Sequence, residues 1–307
     1  MVFPNKLKKG DVVAMVSPAT MVKEEYVKGG ADFLKKMGYV PRLMPGVLSS
    51  PDGSFASSRE QRVADIRDAL RDPEVKAIFC TRGGYGCVQL ISEIPMDEVR
   101  NNPKWIIGFS DISALHALWY KSGVASLHAP MAKHLAIEPA DDVSTAHLFR
   151  ILAEGPEMDY ETAPHAFNRC GHAQGVLRGG NLAVLNGLAS TPFDLLEVGE
   201  GEDVILFIED ISEAIYAVER MLARLYLCGT LQRIKGLIVG RFTEYRPDLN
   251  HESMEGMIDA LLRRYDIKDI PVAFNFPTGH VRDNYPLVEG AVVTLDVDQD
   301  RTVLKTI

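Results

Sequence analysis

Apolar runs of strand length alternate with amphipathic stretches along the first half of the chain. Val12-Val13-Ala14-Met15-Val16 comes first, then a helical pattern ending at Gly38, then Val75-Lys76-Ala77-Ile78-Phe79-Cys80 and Trp105-Ile106-Ile107-Gly108-Phe109. This rhythm predicts βαβ units around a parallel sheet. Ser57 and Glu60 stand at capping-box spacing ahead of the helical run 63–70 and predict a helix start there. Periodicity lapses between Gly155 and Gly171, a stretch that also holds Pro156 and Pro164, and reads as a linker. Beyond it, residues 204–208, 234–239 and 272–276 read as strands and 214–227 and 253–265 as helices. The tail alternates like strands from Pro286-Leu287-Val288 through 291–295 to Val303-Leu304, turning at Asp298-Gln299-Asp300. The predicted class is α/β. A doubly wound, flavodoxin-like parallel-sheet domain is expected over residues 1–160, and a mixed α/β domain with more β character over 161–307.

Composition narrows the function. A length of 307 residues with 46 % hydrophobic content suits two buried cores. With 42 acidic against 33 basic residues and a formal net charge of -9, the chain has no electrostatic footprint for nucleic acid or an anionic membrane. A peptide or small-molecule substrate is favoured. No stretch approaches the ~18 apolar residues of a membrane span, and the N-terminal charges follow the apolar residues rather than precede them, unlike a signal peptide. A cytoplasmic protein is expected. Cys80, Cys87, Cys170 and Cys228 are too sparse for a disulfide framework and form no CxxC or metal-like cluster, so buried, reduced thiols and no metal are expected.

In open α/β sheets ligands bind beyond the carboxyl ends of the strands. After the Val75 strand comes Thr81-Arg82-Gly83-Gly84-Tyr85-Gly86, whose glycines let the backbone approach a ligand and turn its amides inward. The dinucleotide pattern fails because position 89 is Gln, and no Gly-Lys-Ser/Thr exists for a P-loop. An oxyanion-binding loop and a plain turn both stay open. After the Trp105 strand comes Gly108-Phe109-Ser110-Asp111-Ile112, which places Ser110 where a strand runs into a helix. That resembles a nucleophile elbow, although Ile112 departs from GxSxG; the simpler role is helix N-cap. Glu209 and Asp210 follow the 204 strand, and Pro277-Thr278-Gly279-His280 follows the 272 strand. A serine hydroxyl needs an imidazole to take its proton, and the imidazole needs a carboxylate to fix its tautomer. Periodicity does not choose among Glu209, Asp210 and Glu213 for that carboxylate.

Six segments in order carry a family resemblance. They are Leu7-Lys8-Lys9-Gly10-Asp11 leading to Ser17-Pro18-Ala19; Arg82-Gly83-Gly84-Tyr85-Gly86; Ile107-Gly108-Phe109-Ser110-Asp111; Gly179-Gly180-Asn181-Leu182; Phe207-Ile208-Glu209-Asp210 with Tyr216 and Arg220; and Pro277-Thr278-Gly279-His280. Together they resemble the LD-carboxypeptidase family of serine peptidases nearly end to end. The resemblance implies a triad of Ser110, Glu209 and His280 meeting at a domain interface, an oxyanion hole from amides near Gly84 and at Asp111, no metal or organic cofactor, and a homodimer. It also implies the reaction, removal of terminal D-alanine from murein tetrapeptides in the cytoplasm during cell-wall recycling. The expected partner is thus a muropeptide, with no nucleic acid and no membrane. A carboxypeptidase must hold a free chain end, and Arg82 and Arg178, flanking glycine-rich segments, are the candidate cations. Two alternatives stand beside this: a hydrolase of peptidyl or aminoacyl nucleotides resembling the microcin-immunity branch, and a peptide-binding module without catalysis.

Overall fold

The computed structural model describes residues 1–49, 52–139 and 141–307. Its strands in chain order are β1 (Val12–Val16), β2 (Val40–Leu43), β3 (Val75–Cys80), β4 (Trp105–Gly108), β5 (Ser126–His128), β6 (Asp159–Thr162), β7 (Gly171–Asn181), β8 (Val204–Ile211), β9 (Gly236–Thr243), β10 (Val272–Gly279), β11 (Leu287–Glu289), β12 (Val292–Val297) and β13 (Thr302–Thr306). The chain divides into two units, residues 1–156 with 282–289, and residues 157–281 with 290–307.

In the first unit the sheet order is β11-β5-β4-β3-β1-β2. Strands β1 to β5 are parallel, in the flavodoxin-like order, and β11 closes the edge antiparallel to β5. The central strands carry apolar side chains on both faces because helices cover both, so β3 and β4 read as continuous hydrophobic runs and are almost wholly buried. Helix Glu24–Lys36 stops before Gly38, which takes a left-handed φ of 89°. Helix Arg59–Arg71 starts one residue later than the capping-box spacing predicts. Ser58, not Ser57, caps it, its Oγ accepting from the Gln61 amide at 3.2 Å, while Ser57 is buried. Two adjacent serines offer the same signal, and burial decides between them. At the carboxyl ends of β1 and β3 the loops are tied together: Ser17 Oγ bonds Thr81 Oγ1 at 2.6 Å, and Thr20 N donates to Gly83 O at 3.4 Å.

In the second unit the order is β10-β9-β8-β7-β12-β13-β6, parallel from β10 to β7 and antiparallel from β7 onward. Helices Ile215–Leu227 and Met254–Arg264 pack against each other. The β12–β13 hairpin turns where predicted, with Asp298 Oδ1 accepting from the amides of Asp300 and Arg301 at 2.9 and 2.8 Å.

Three expectations need correction. The stretch expected as linker contains β6, an edge strand paired to β13, whose flanking prolines and glycines hide it. The segment 282–289 does not stay with the second unit: Leu287 and Val288 pair with His128 and Leu127 in the first. Alternation marks a strand but does not say which sheet takes it. Finally, only Cys80 and Cys87 are buried, whereas Cys170 and Cys228 are exposed, all four being free thiols. Among the described residues, no helix is long and apolar enough to cross a membrane.

Candidate active site

The first unit supplies the serine. Strand β4 ends at Gly108, Phe109 is extended, and Ser110 takes φ 67° before a helical turn leads into helix Ser113–Lys121. A left-handed conformation costs an L-residue about 1–2 kcal/mol, and such strain concentrates at functional turns. Helix and strand are braced behind the turn by His116, whose Nε2 donates to Gly108 O at 2.9 Å. Burial, with the neighbouring His128 and against the Gly108 hydrogen bond, lowers the His116 pKa to about 3, so the ring is neutral.

The glycine loop lies directly against this turn. A methyl group added at Gly83 would stand 2.9 Å from Ser110 Cβ, 3.1 Å from its Oγ and 3.3 Å from the Asp111 amide nitrogen. Only a hydrogen at that position leaves room for a reacting carbonyl. Gly83 has no left-handed φ, so the backbone conformation suits alanine, but its Cβ would press on Ser110 Cβ and the Asp111 amide and something there must shift. Gly83→Ala is therefore expected to keep the fold at a cost of about 1–3 kcal/mol and to lose roughly 10²-fold in kcat/KM, the scale of an ångström-sized misplacement; steady-state kinetics beside a melting curve checks both halves. Arg82 is exposed beside the loop, its Nη1 donating to Met21 O at 2.9 Å.

The second unit supplies the carboxylate and histidine. Glu209 lies within β8, fully buried, and His280 follows β10 directly, with Nδ1 2.8 Å from Glu209 Oε2. Nδ1–H donates to the carboxylate, which leaves the Nε2 lone pair as the basic site. The approach requires a glycine beneath it: Gly279 has φ 114°, and a Cβ there would lie 2.8 Å from Glu209 Oε2 and 2.9 Å from Glu209 Cβ. Asp210 is committed elsewhere. Its Oδ1 accepts from Asn181 Nδ2 and the Ile211 amide and its Oδ2 from the Ala183 amide, all at 2.8 Å, fixing the Gly179-Gly180-Asn181 end of β7 to β8. Burial and the Glu209 charge push Asp210 up to about 7, against these three donors. Of the three acids left open by the sequence, Glu209 is the one at hydrogen-bond distance from His280.

Burial works to lower the His280 pKa, but the hydrogen bond and charge of Glu209, with Asp210 and Glu244 behind it, outweigh burial and hold it above its ordinary value. A general base must be neutral to act. The acid limb of the kcat/KM profile is therefore expected above pH 6.5, activity falling as pH drops through it; a limb at or below the ordinary histidine value would contradict this pairing.

Arg178 lies deep in the second unit, 2 % exposed, its guanidinium donating to the Glu197 carbonyl and to Glu202 at 3.2 Å. Among the described residues, no group of three His, Cys, Asp or Glu side chains is placed to hold a metal ion.

A serine on a strained strand-to-helix turn, a glycine loop against it and a carboxylate-bound histidine are the components of serine hydrolase chemistry. Residues 13–129 match the LD-carboxypeptidase N-terminal domain and residues 174–295 the LD-carboxypeptidase C-terminal domain. The chain is 30 % identical to the probable murein peptide carboxypeptidase of Bacillus subtilis, over 98 % of this chain and 94 % of that one. It is also similar to a microcin self-immunity protein of Escherichia coli, 25 % identical over 94 % and 91 % of the two chains. Among solved structures, the muramoyltetrapeptide carboxypeptidase of Oxalobacter formigenes superposes with a TM-score of 0.86 at 27 % identity, covering 96 % of this chain and 98 % of the other. The chain belongs to the LD-carboxypeptidase family.

Proposed function

We propose that this protein is a serine carboxypeptidase that hydrolyses the L,D-peptide bond between a diamino acid and the terminal D-alanine of murein tetrapeptides, in the cytoplasm and as a homodimer. The observation that carries it is the Glu209–His280 pair at 2.8 Å, which leaves a single basic nitrogen for the family's serine chemistry. For this chemistry Ser110 and His280 must come within hydrogen-bond reach. Ser110 Oγ attacks the carbonyl carbon of the diamino acid while His280 Nε2 takes its proton. The oxyanion is received by the amides of Gly84 and Asp111. As the C–N bond breaks, His280 returns the proton to the leaving D-alanine amine, leaving the shortened peptide as an ester on Ser110. Water, deprotonated by His280, then attacks the ester, and the proton goes back to Ser110.

Among the two candidate cations, Arg82 is exposed beside the glycine loop and Arg178 is engaged inside its own unit, which favours Arg82 as the partner of the terminal carboxylate. Arg82→Met is expected to raise KM for the tetrapeptide about tenfold, the value of a charge-assisted pair of about 1.4 kcal/mol. Unchanged KM removes Arg82 from the site.

Similarity to the microcin self-immunity protein keeps a second substrate class in view, peptidyl or aminoacyl nucleotides. The deciding experiment incubates the purified protein with a D-alanine-terminated tetrapeptide and, in parallel, with a peptidyl nucleotide, and follows both by mass spectrometry. Release of D-alanine establishes the carboxypeptidase. Cleavage of the nucleotide conjugate alone transfers the same residues to the other substrate, and no cleavage of either points to a binding module.

A further inference from the structure

The glycine loop ends in a peptide unit gripped at both polar atoms by buried groups of opposite charge. Arg62, on helix Arg59–Arg71, is 2 % exposed; Nη1 donates to Gly86 O at 3.3 Å and Pro18 O at 2.9 Å, Nε to Ser57 O at 3.2 Å, and Nη2 to Gln89 Oε1 at 2.9 Å. These acceptors are all neutral oxygens, drawn from the loops that follow β1 and β3 and from the turn that precedes the helix. Asp111, the residue after Ser110, is 3 % exposed and its Oδ2 accepts from the Cys87 amide at 2.8 Å. The Gly86 carbonyl and the Cys87 N–H belong to one peptide group, so its dipole lies with oxygen toward the cation and hydrogen toward the anion. A side chain at 86 is excluded: its Cβ would lie 2.6 Å from Arg62 Nη1. Phe55 covers the guanidinium, its ring centroid 4.5 Å from Cζ, and Tyr85 of the loop leans on Phe55 at 5.9 Å.

Burying a guanidinium and a carboxylate costs stability that apolar side chains of the same volume would not. What these two charges secure is the orientation of one peptide plane, three residues along the loop from the glycine that lies against Ser110. We propose that Arg62 and Asp111 are positioning residues that clamp the 86–87 peptide and thereby hold the Gly83-Gly84 turn where it receives the oxyanion. The proposal rests on Ser110 as nucleophile, and neither side chain touches substrate in it; Asp111 meets the oxyanion through its backbone amide alone.

The test uses Asp111→Asn, which keeps shape and removes charge, Arg62→Met, Arg62→Lys and the double variant Arg62→Met/Asp111→Asn. Expected are a fall in kcat for D-alanine release of roughly tenfold for Asp111→Asn and on the order of 10² for Arg62→Met, with KM within about threefold, because a displaced oxyanion donor is missed only in the transition state. Arg62→Lys restores part of kcat. The double variant is no worse than Arg62→Met by more than about threefold, since both changes release one peptide unit. Unchanged kcat in Asp111→Asn and Arg62→Lys, or effects that multiply in the double variant, overturns the clamp; if Arg62→Met does not fold, the other two single variants decide. Acylation of Ser110 by p-nitrophenyl acetate, which needs an oxyanion site but no peptide recognition, is measured on every variant. Wild-type protein that is acylated yet releases no D-alanine overturns the substrate assignment, and the acylation rates then judge the clamp. Wild-type protein inert to both overturns the Ser110 assignment and the clamp with it.

Discussion

In the Ser110→Ala protein, release of D-alanine is expected to fall by roughly 10⁴- to 10⁶-fold, the loss that follows removal of the nucleophile from a site whose parts act as a unit. Stability should not follow activity. Alanine keeps the Cβ, so the left-handed φ of 67° at position 110 and its strain of about 1–2 kcal/mol are the same in both proteins. Ser110→Gly separates the two effects further: it is just as inactive, but glycine relieves the strain while its looser unfolded chain takes back about 0.5–1 kcal/mol, so it melts no lower than Ser110→Ala. Activity is followed by mass spectrometry and stability by calorimetry. Residual activity within tenfold of wild type would move the nucleophile to another residue, and a large drop in melting temperature would mean that the hydroxyl has a structural duty.

Much of this arrangement is legible in the chain because strand ends in a parallel sheet are predictable places. The Trp105 run is apolar on both faces and stops at Gly108, so Ser110 falls at the mouth of the sheet whatever the details of the turn. Glu209 is placed less simply. It reads as the residue after a strand, yet β8 continues to Ile211, and its register with β9 shifts between Ile208 and Asp210, where Glu209 sits opposite two residues of β9. Hydrophobic periodicity ends where the buried carboxylates begin, so it marks the strand two to three residues short. Strand β7 escaped the pattern for a related reason: its eleven residues include Gly171, Gly175, Gly179 and Gly180, which carry no apolar signal. Arg62 is illegible in the sequence. One arginine in a helix rich in charged residues gives no sign that it points inward, as Asp65 on the same helix also does, and only the converging carbonyls of Pro18, Ser57 and Gly86 identify it.

The units therefore differ in how their chemistry is held. In the first, the serine depends on backbone: a strained turn, a glycine loop against it and a helix braced by a neutral His116. In the second, side chains hold one another, with Asp210 gathering three donors from β7, β8 and the short helix Leu182–Asn186 and so fixing the strand end from which Glu209 reaches His280.

Glu209→Gln tests that second arrangement and is expected to lower kcat by roughly 10²- to 10⁴-fold with KM nearly unchanged, because an amide neither enforces the tautomer nor stabilises the imidazolium. Glutamine fits the cavity of glutamate, so the fully buried position stays filled and folding is preserved. If the amide NH₂ faces His280, Nδ1 must accept and the proton moves to Nε2, the atom that has to be basic. If the amide oxygen faces it, the tautomer survives but the positive ring forms beside a neutral group. The two cases separate by pH. Loss of the Glu209 hydrogen bond and charge, the influences that offset burial, lowers the His280 pKa. The acid limb should therefore move to lower pH in the variant, while the plateau above it stays far below that of wild type. A plateau that returned to wild-type height would reduce Glu209 to a residue that sets the histidine's titration alone. An acid limb that did not move would show that the 2.8 Å contact is not what sets the histidine's protonation.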